Sequence, residues 1–255
     1  MKAQLADAGI RYQLVHQDQC WDVNASIGQS ITLLFEGQIS CVECQKSIKK
    51  AFGEGFCFNC FSDSANNSPC ILRPELCEGH LGKGRDIEWE LRNHVQEHVV
   101  YLALSSAVKV GVTRATQVPT RWIDQGASQA IVLARTPHRQ LAGLIEVALK
   151  EHFTDKTSWQ KMLKNEVSDE DLIRAKWMAA DLLPRDWQHY ITDDEDVQEL
   201  HYPVLSYPAK VSSVGFDKQA CIEGQLQGVK GQYLLLDQNR VINLRSHAGY
   251  HITVK

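Results

Sequence analysis

Cys41-Val42-Glu43-Cys44 and Cys57-Phe58-Asn59-Cys60 form two CxxC pairs separated by twelve residues, and no other feature of this chain restricts its fold so tightly. Each pair offers two thiolates from one tight turn, and two such pairs satisfy a tetrahedral ion. The surrounding residues 41–85 are rich in Cys, Gly, Asn, Ser and Pro, with little apolar periodicity. Hydrophobic burial alone would leave such a stretch without order. Eight cysteines would suit a disulfide framework in a short secreted chain, but at 255 residues with no apolar leader the expected setting is reducing, where clustered thiols hold metal. Cys41, Cys44, Cys57 and Cys60 therefore read as ligands of a structural zinc, with Lys46 and Gly53/Gly55 suited to the knuckle turns. Cys70, Cys77 and His80 follow in the same stretch and supply three ligands of a second zinc site. His94 is the expected fourth, with His98 in reserve. Cys20 and Cys221 are isolated in strand-like text and read as core residues.

A hydrophobic fraction of 44% and a charged fraction of 23% place the chain among globular proteins with a buried core. No apolar run approaches the roughly 20 residues of a membrane span, so the expected address is cytoplasmic, without a membrane partner. The formal net charge of −4 hides a segregation. From 99 to 164 nine Lys/Arg, Lys156 among them, stand against Asp124, Glu146, Glu151 and Asp155, a net of +5. From 165 to 200 eleven acids, including Asp193-Asp194-Glu195-Asp196, stand against three cations, a net of −8. A phosphate-binding face beside an acidic segment that solvates the chain or docks a protein partner would have this pattern.

The chain divides by pattern into an N-terminal β region (1–40), the zinc-binding segment (41–98), a ββαβα module (99–164), an acidic helical segment (165–200) and a C-terminal β region (201–255) expected to pair with the first. Within the module, strands at Val99–Leu104 and Val108–Thr113 flank a Ser105-Ser106 turn. Pro119 opens a short helix that Gly126 stops, and Ala130–Ala134 reads as a third strand. Thr136-Pro137 resembles an N-cap for a helix whose buried face carries Leu141, Leu144, Ile145, Ala148 and Leu149. Ser168 with Asp171 resembles a capping box for a further helix ending by Pro184. The fold class is α+β, a small three-stranded sheet with flanking helices joined to a zinc segment and terminal β regions.

Val99-Val100-Tyr101, Val108-Lys109-Val110-Gly111, Arg121 on the short helix and Glu146 on the longer one resemble the GIY-YIG nuclease superfamily, in a variant with Lys109 in place of the second motif's tyrosine. The resemblance covers about 65 residues and implies roles for four of them. Tyr101 and Lys109 would activate water, Arg121 would bind the scissile phosphate, and Glu146 would carry a catalytic Mg or Mn. The cysteine pairs followed by Pro74-Glu75-Leu76-Cys77, Val100-Tyr101-Leu102-Ala103 and Arg121-Trp122-Ile123-Asp124 also resemble a family of uncharacterised bacterial proteins.

Phosphodiester hydrolysis needs a cation for phosphate charge, a positioned base and a hard metal on a carboxylate, and these residue types supply all three. Glu146 stands out as the only charge between Leu141 and Leu149. The expectation is a zinc-containing, metal-dependent endonuclease acting on DNA or RNA. Its alternative is a catalytically inactive zinc-dependent nucleic-acid-binding protein.

Overall fold

Alternating residues at the N-terminus form three short strands, β1 (Lys2–Ala6), β2 (Gly9–His16) and β3 (Gln19–Asp22), paired antiparallel in a sheet of their own. The eleven-residue β4 (Ser30–Ser40) follows, with Ile31, Leu33 and Ile39 buried and their neighbours turned outward, the period expected of a half-buried strand. The two-residue β5 (Ser47–Ile48) folds straight back onto the end of β4 and is followed by α1 (Phe58–Asp63).

The middle of the chain contains α2 (Ile87–Asn93), β6 (His98–Leu104), β7 (Val108–Arg114), α3 (Thr120–Asp124), β8 (Gln129–Thr136), α4 (Arg139–Leu149), α5 (Trp159–Leu163), α6 (Leu172–Leu182) and β9 (Gln198–Glu199). The C-terminal part returns to β structure in β10 (Ser212–Ser213), β11 (Cys221–Lys230), β12 (Tyr233–Leu236), β13 (Arg240–Asn243) and β14 (Tyr250–Val254). The computed structural model describes residues 1–16, 19–153 and 158–255; Asp155 and Lys156 of the charge pattern lie outside them.

Two units result. The first gathers 1–62, 123–126 and 201–255, the second 63–122 and 127–200. In the first, β4 pairs antiparallel with β11 on one side and β14 on the other, so the two terminal β regions share one sheet of order β10-β13-β12-β11-β4-β14. Its core is built from Ile31, Leu33, Leu226, Val229, Leu234 and Ile242.

In the second unit the sheet order is β7-β6-β8-β9. The expected three strands are joined by a fourth from the acidic segment, where Gln198 and Glu199 pair with Ala130 and Gln129. Val100, Leu102 and Leu104 of β6, with Val108 and Val110 of β7, face Ala142, Ile145 and Leu149 of α4 and Leu172 and Ala179 of α6. This face carries the unit's main apolar cluster.

Two helix starts differ from the sequence reading. Thr136 ends β8 and gives its hydroxyl to the carbonyls of His98 and His138, so the N-cap of α4 is His138, whose Nδ1 accepts from Leu141 N–H at 3.4 Å. For α6 the cap is Asp171, whose Oδ1 accepts from Ile173 and Arg174, while Ser168 donates to Glu170. The acidic run also has partners within its own unit. Lys176 is buried and donates to Thr192 at 3.1 Å and to the Asp194 carbonyl, and Trp177 Nε1 donates to Glu195 at 2.6 Å.

One close approach shapes the second unit. Gly143 is buried in the middle of α4, and a Cβ there would lie 2.2 Å from the Glu75 nitrogen and 2.5 Å from the Pro74 carbonyl carbon. The turn Pro74–Leu76 therefore rests directly on the helix backbone.

Candidate metal centres

Cys41 follows the last residue of β4, and the return into β5 makes the first knuckle. Cys41 N–H donates to the Lys46 carbonyl at 2.8 Å, Gln45 N–H donates back to Cys41 at 3.0 Å, and Gln45 takes a left-handed φ of 59°. The second knuckle is the turn in which Phe52 and Phe56 exchange backbone hydrogen bonds. Cys57 leaves that turn and Cys60 sits one turn into α1. The Cys57 N–H donates to Cys41 Sγ at 3.1 Å and the Cys60 N–H to Cys57 Sγ at 3.4 Å, so backbone dipoles already point at the sulfurs. Burial raises the Cys41 thiol, but the N–H groups of Cys44, Cys57 and Glu43 together outweigh it and bring it down to about 6. That favours the thiolate a metal needs.

The four sulfurs lie within 4.8 Å of one another. A tetrahedral ion with Zn–S bonds of about 2.3 Å would hold two thiolates about 3.8 Å apart, and Cys44 and Cys57 are 3.8 Å apart. The group can hold zinc.

The second group is Cys70, Cys77, Glu90 and His94, all buried and again within 4.8 Å of one another. Cys70 lies in the single turn Pro69–Ile71, and Cys77 directly follows Pro74–Leu76. Glu90 and His94 are one turn apart on α2, which Asp86 caps by accepting from Trp89 N–H at 2.9 Å. His94 Nδ1 lies 3.5 Å from Cys77 Sγ and 3.8 Å from Cys70 Sγ, against about 3.5 Å for a sulfur and a nitrogen on one tetrahedral zinc. Glu90 Oε2 is 4.0 Å from Cys77 Sγ and contacts His94 Nδ1. A hydrogen bond from Cys77 brings the Cys70 thiol down to about 4, against burial and with help from His94 and Ser68; Cys77 itself is pushed up.

Cys70, Cys77 and His94 are thus brought together, and His80 is not among them. Its ring stacks parallel on His138 at 4.1 Å, and Glu90 fills the fourth position. Glu90 escaped the sequence reading because a carboxylate in Ile87-Glu88-Trp89-Glu90 looks like the solvated side of a helix. The signal available was its spacing, four residues before His94 and so on the same face. The backbone makes room for it: at Gly84, with φ of 157°, a Cβ would lie 2.4 Å from Glu90 Cγ. His98, the reserve ligand, is fully buried with its ring 6.4 Å from that of His94.

The residues carrying the nuclease resemblance are distributed differently. Tyr101 pairs with Gly111 across β6 and β7, is fully buried, and lies 5.9 Å from the Trp122 ring of α3. Lys109 and Gly111 share its face by strand alternation, opposite to Val100, Leu102, Val108 and Val110. It is the latter face on which α4 packs. Glu146, on α4, pairs with Lys150 at 3.8 Å one turn away. Arg121 lies on α3, partly buried. Tyr101 and Lys109 are therefore on one side of the sheet and the helix of Glu146 on the other. Among the described residues only the two cysteine-containing groups have metal-ligand spacing, and Glu146 belongs to neither.

The sequence reading also missed a surface beside the first group. Phe58 is 62% exposed and Phe61 36% exposed, and both rings pack on Phe52, with centroids 5.5 Å and 6.1 Å away. The Lys50 ammonium lies 5.8 Å from the Phe52 centroid, and Lys46 and Lys49 are exposed on the adjoining strand and turn. The nearby carboxylate of Glu54 is already paired with Arg245 at 2.7 Å.

These features define an α+β protein with two four-residue groups that can hold zinc, and no helix among the described residues is long and apolar enough to cross a membrane. Residues 28–252 match the family described as protein of unknown function DUF2797, and the chain belongs to that family. No curated protein and no solved structure matches it.

Proposed function

We propose that the protein binds single-stranded nucleic acid, DNA or RNA, on the aromatic and basic surface of its first zinc centre. The observation that carries this is the exposed pair Phe58 and Phe61 on a Phe52 base, edged by Lys46, Lys49 and Lys50. Large exposed aromatics are disfavoured on a free surface, and next to lysines they offer what an unpaired strand needs. Base faces stack on the rings while ammonium groups meet the phosphates. A duplex hides its base faces and would use the lysines alone. Both zinc ions are structural in this reading, since each group supplies four protein ligands and leaves no position for water. The first ion fixes the two knuckles that carry the phenylalanines and lysines.

Cleavage of the bound strand finds no support in the division of Tyr101, Lys109 and Glu146 between the two sides of the sheet. The reading is therefore the non-catalytic one.

Fluorescence anisotropy with labelled fifteen-nucleotide poly(dT), poly(U) and a mixed-sequence duplex tests it. Both single strands are expected to bind more tightly than the duplex. Phe58→Ala is expected to weaken single-strand binding about fivefold or more, from a stacking contribution of about 1–3 kcal/mol per base. Three lysine contacts give a slope of log K against log salt of about −2 for a single strand. Equal affinity for the duplex, or unchanged binding by the Phe58→Ala/Phe61→Ala double variant, overturns the proposal.

A further inference from the structure

The two centres differ in how their charge is compensated. Four thiolates around a divalent ion carry a net charge of −2, but the first group borders water, with Cys44 exposed and Cys57 and Cys60 partly so. Two thiolates, a carboxylate and a neutral imidazole around the same ion leave −1, and in the second group all four residues are buried. A buried net charge is costly unless it is paired with a counter-charge.

Arg139, the first residue of α4, is placed to supply that charge. Its Nε donates to the Cys70 carbonyl at 3.0 Å, its Nη2 to the Ile71 carbonyl at 2.9 Å, and its backbone N–H to the His94 carbonyl at 2.9 Å. One residue thus holds the backbone at two of the four ligands. We propose that Arg139, partly buried at the start of α4, is the counter-ion and positioning residue of the second metal centre, through which α4 is coupled to metal occupancy. The inference rests on the second group holding a divalent ion and is independent of nucleic-acid binding.

Outer partners of metal ligands typically contribute about 10–100-fold to metal affinity. Arg139→Gln removes the charge, and Arg139→Lys keeps the charge while giving up the fork that bonds two carbonyls. The test is zinc release from the full chain into a graded series of chelator, read colorimetrically, with Cys57→Ser used to assign the first centre's zinc. Arg139→Gln is expected to release the second zinc at a chelator concentration at least tenfold lower, with the first zinc and the far-ultraviolet circular dichroism unchanged. Arg139→Lys is expected to release the second zinc at a chelator concentration between those of wild type and Arg139→Gln, because the charge survives while the fork is lost. Retention of both zinc ions by Arg139→Gln at the wild-type chelator concentration overturns the proposal. So does a folded Arg139→Lys variant that loses the second zinc as readily as Arg139→Gln, since the charge would then contribute nothing.

Discussion

Replacing Gly143 by alanine sets two physical effects against each other. In the interior of a helix such as α4 the change ordinarily stabilises by about 0.8–1.0 kcal/mol, because glycine loses more backbone freedom on folding. Here the new Cβ would stand 2.2 Å from the Glu75 nitrogen, 2.5 Å from the Pro74 carbonyl carbon and 2.9 Å from Glu75 Cα. Heavy atoms in contact prefer separations of about 3.5–4.0 Å, so the Pro74–Leu76 turn must retreat by more than about 1 Å. Every opposing atom is backbone, and no rotamer change relieves the clash. Overpacking of this kind costs about 1–3 kcal/mol, and the upper end applies where nothing can yield locally. Set against the propensity gain, the expected net loss is about 2 kcal/mol. At about 2–4 °C per kcal/mol for a chain of this size, the Tm should fall by about 4–8 °C. A second consequence is specific to this contact: Cys77 lies two residues beyond Glu75, so retreat of the turn should loosen the second zinc and leave the first in place. Thermal melts followed by circular dichroism, together with chelator release, check both parts. Val147→Ala, at an exposed position of the same helix, serves as control and should shift stability by no more than about 0.5 kcal/mol. A Gly143→Ala protein as stable as wild type, or more so, would refute the packing argument and leave propensity as the only effect.

Cys57→Ser should remove about one zinc per chain and destabilise the first unit, whereas Cys221→Ser, at an exposed thiol outside both groups, should leave elemental zinc content unchanged; equal losses would mean the ligands are misassigned. Glu90→Ala should lower second-site occupancy while His80→Ala should not, and the opposite ranking in the same elemental analysis would return the fourth position to His80. His98 is held neutral, its pKa lowered by burial from 6.5 to about 4. The unfolded chain binds this proton first, so the contribution is complete above about pH 6.5 and is lost as pH falls from there to 4, amounting to about 3 kcal/mol at most. Urea midpoints measured between pH 7.5 and pH 4.5 should therefore fall more steeply for wild type than for His98→Gln, and parallel curves would contradict the assignment.

The features legible in the sequence were those written in local spacing. The CxxC pairs needed only two tight turns, β4 followed from alternation that one sheet face enforces, and β6, β7 and β14 followed from short apolar runs bounded by turn residues. What escaped required neighbours distant in sequence. Nothing local marks Gly143, whose role depends on the Pro74–Leu76 turn resting on it. Glu90 became distinct from Glu88 only when two cysteines arrived beside its face. His80 had a plausible ligand spacing but is turned onto His138. The phenylalanines of the first centre were hidden inside the cysteine motif, since Phe58 occupies one of its variable positions and nothing local distinguishes an exposed ring from a buried one. Residue types matched the nuclease resemblance in order, but strand alternation, which decides the side of the sheet each residue faces, assigned Tyr101 and the Glu146 helix to opposite sides.

The pairing of β4 has a consequence for synthesis. This strand ends at Ser40, and its neighbour β11 begins at Cys221, about 180 residues later. β14, on the other edge, begins at Tyr250, so at elongation rates of about 5–20 residues per second most of β4 waits roughly 10–40 s for its partners. Over the same interval the whole second unit is translated and can form its own sheet. An unpaired, half-apolar strand is a template for aggregation. The cysteine knuckle at the end of β4, complete by Cys60, is the one constraint that can act on that strand early. Zinc supply during translation should therefore govern soluble yield more strongly than zinc added after the chain is released.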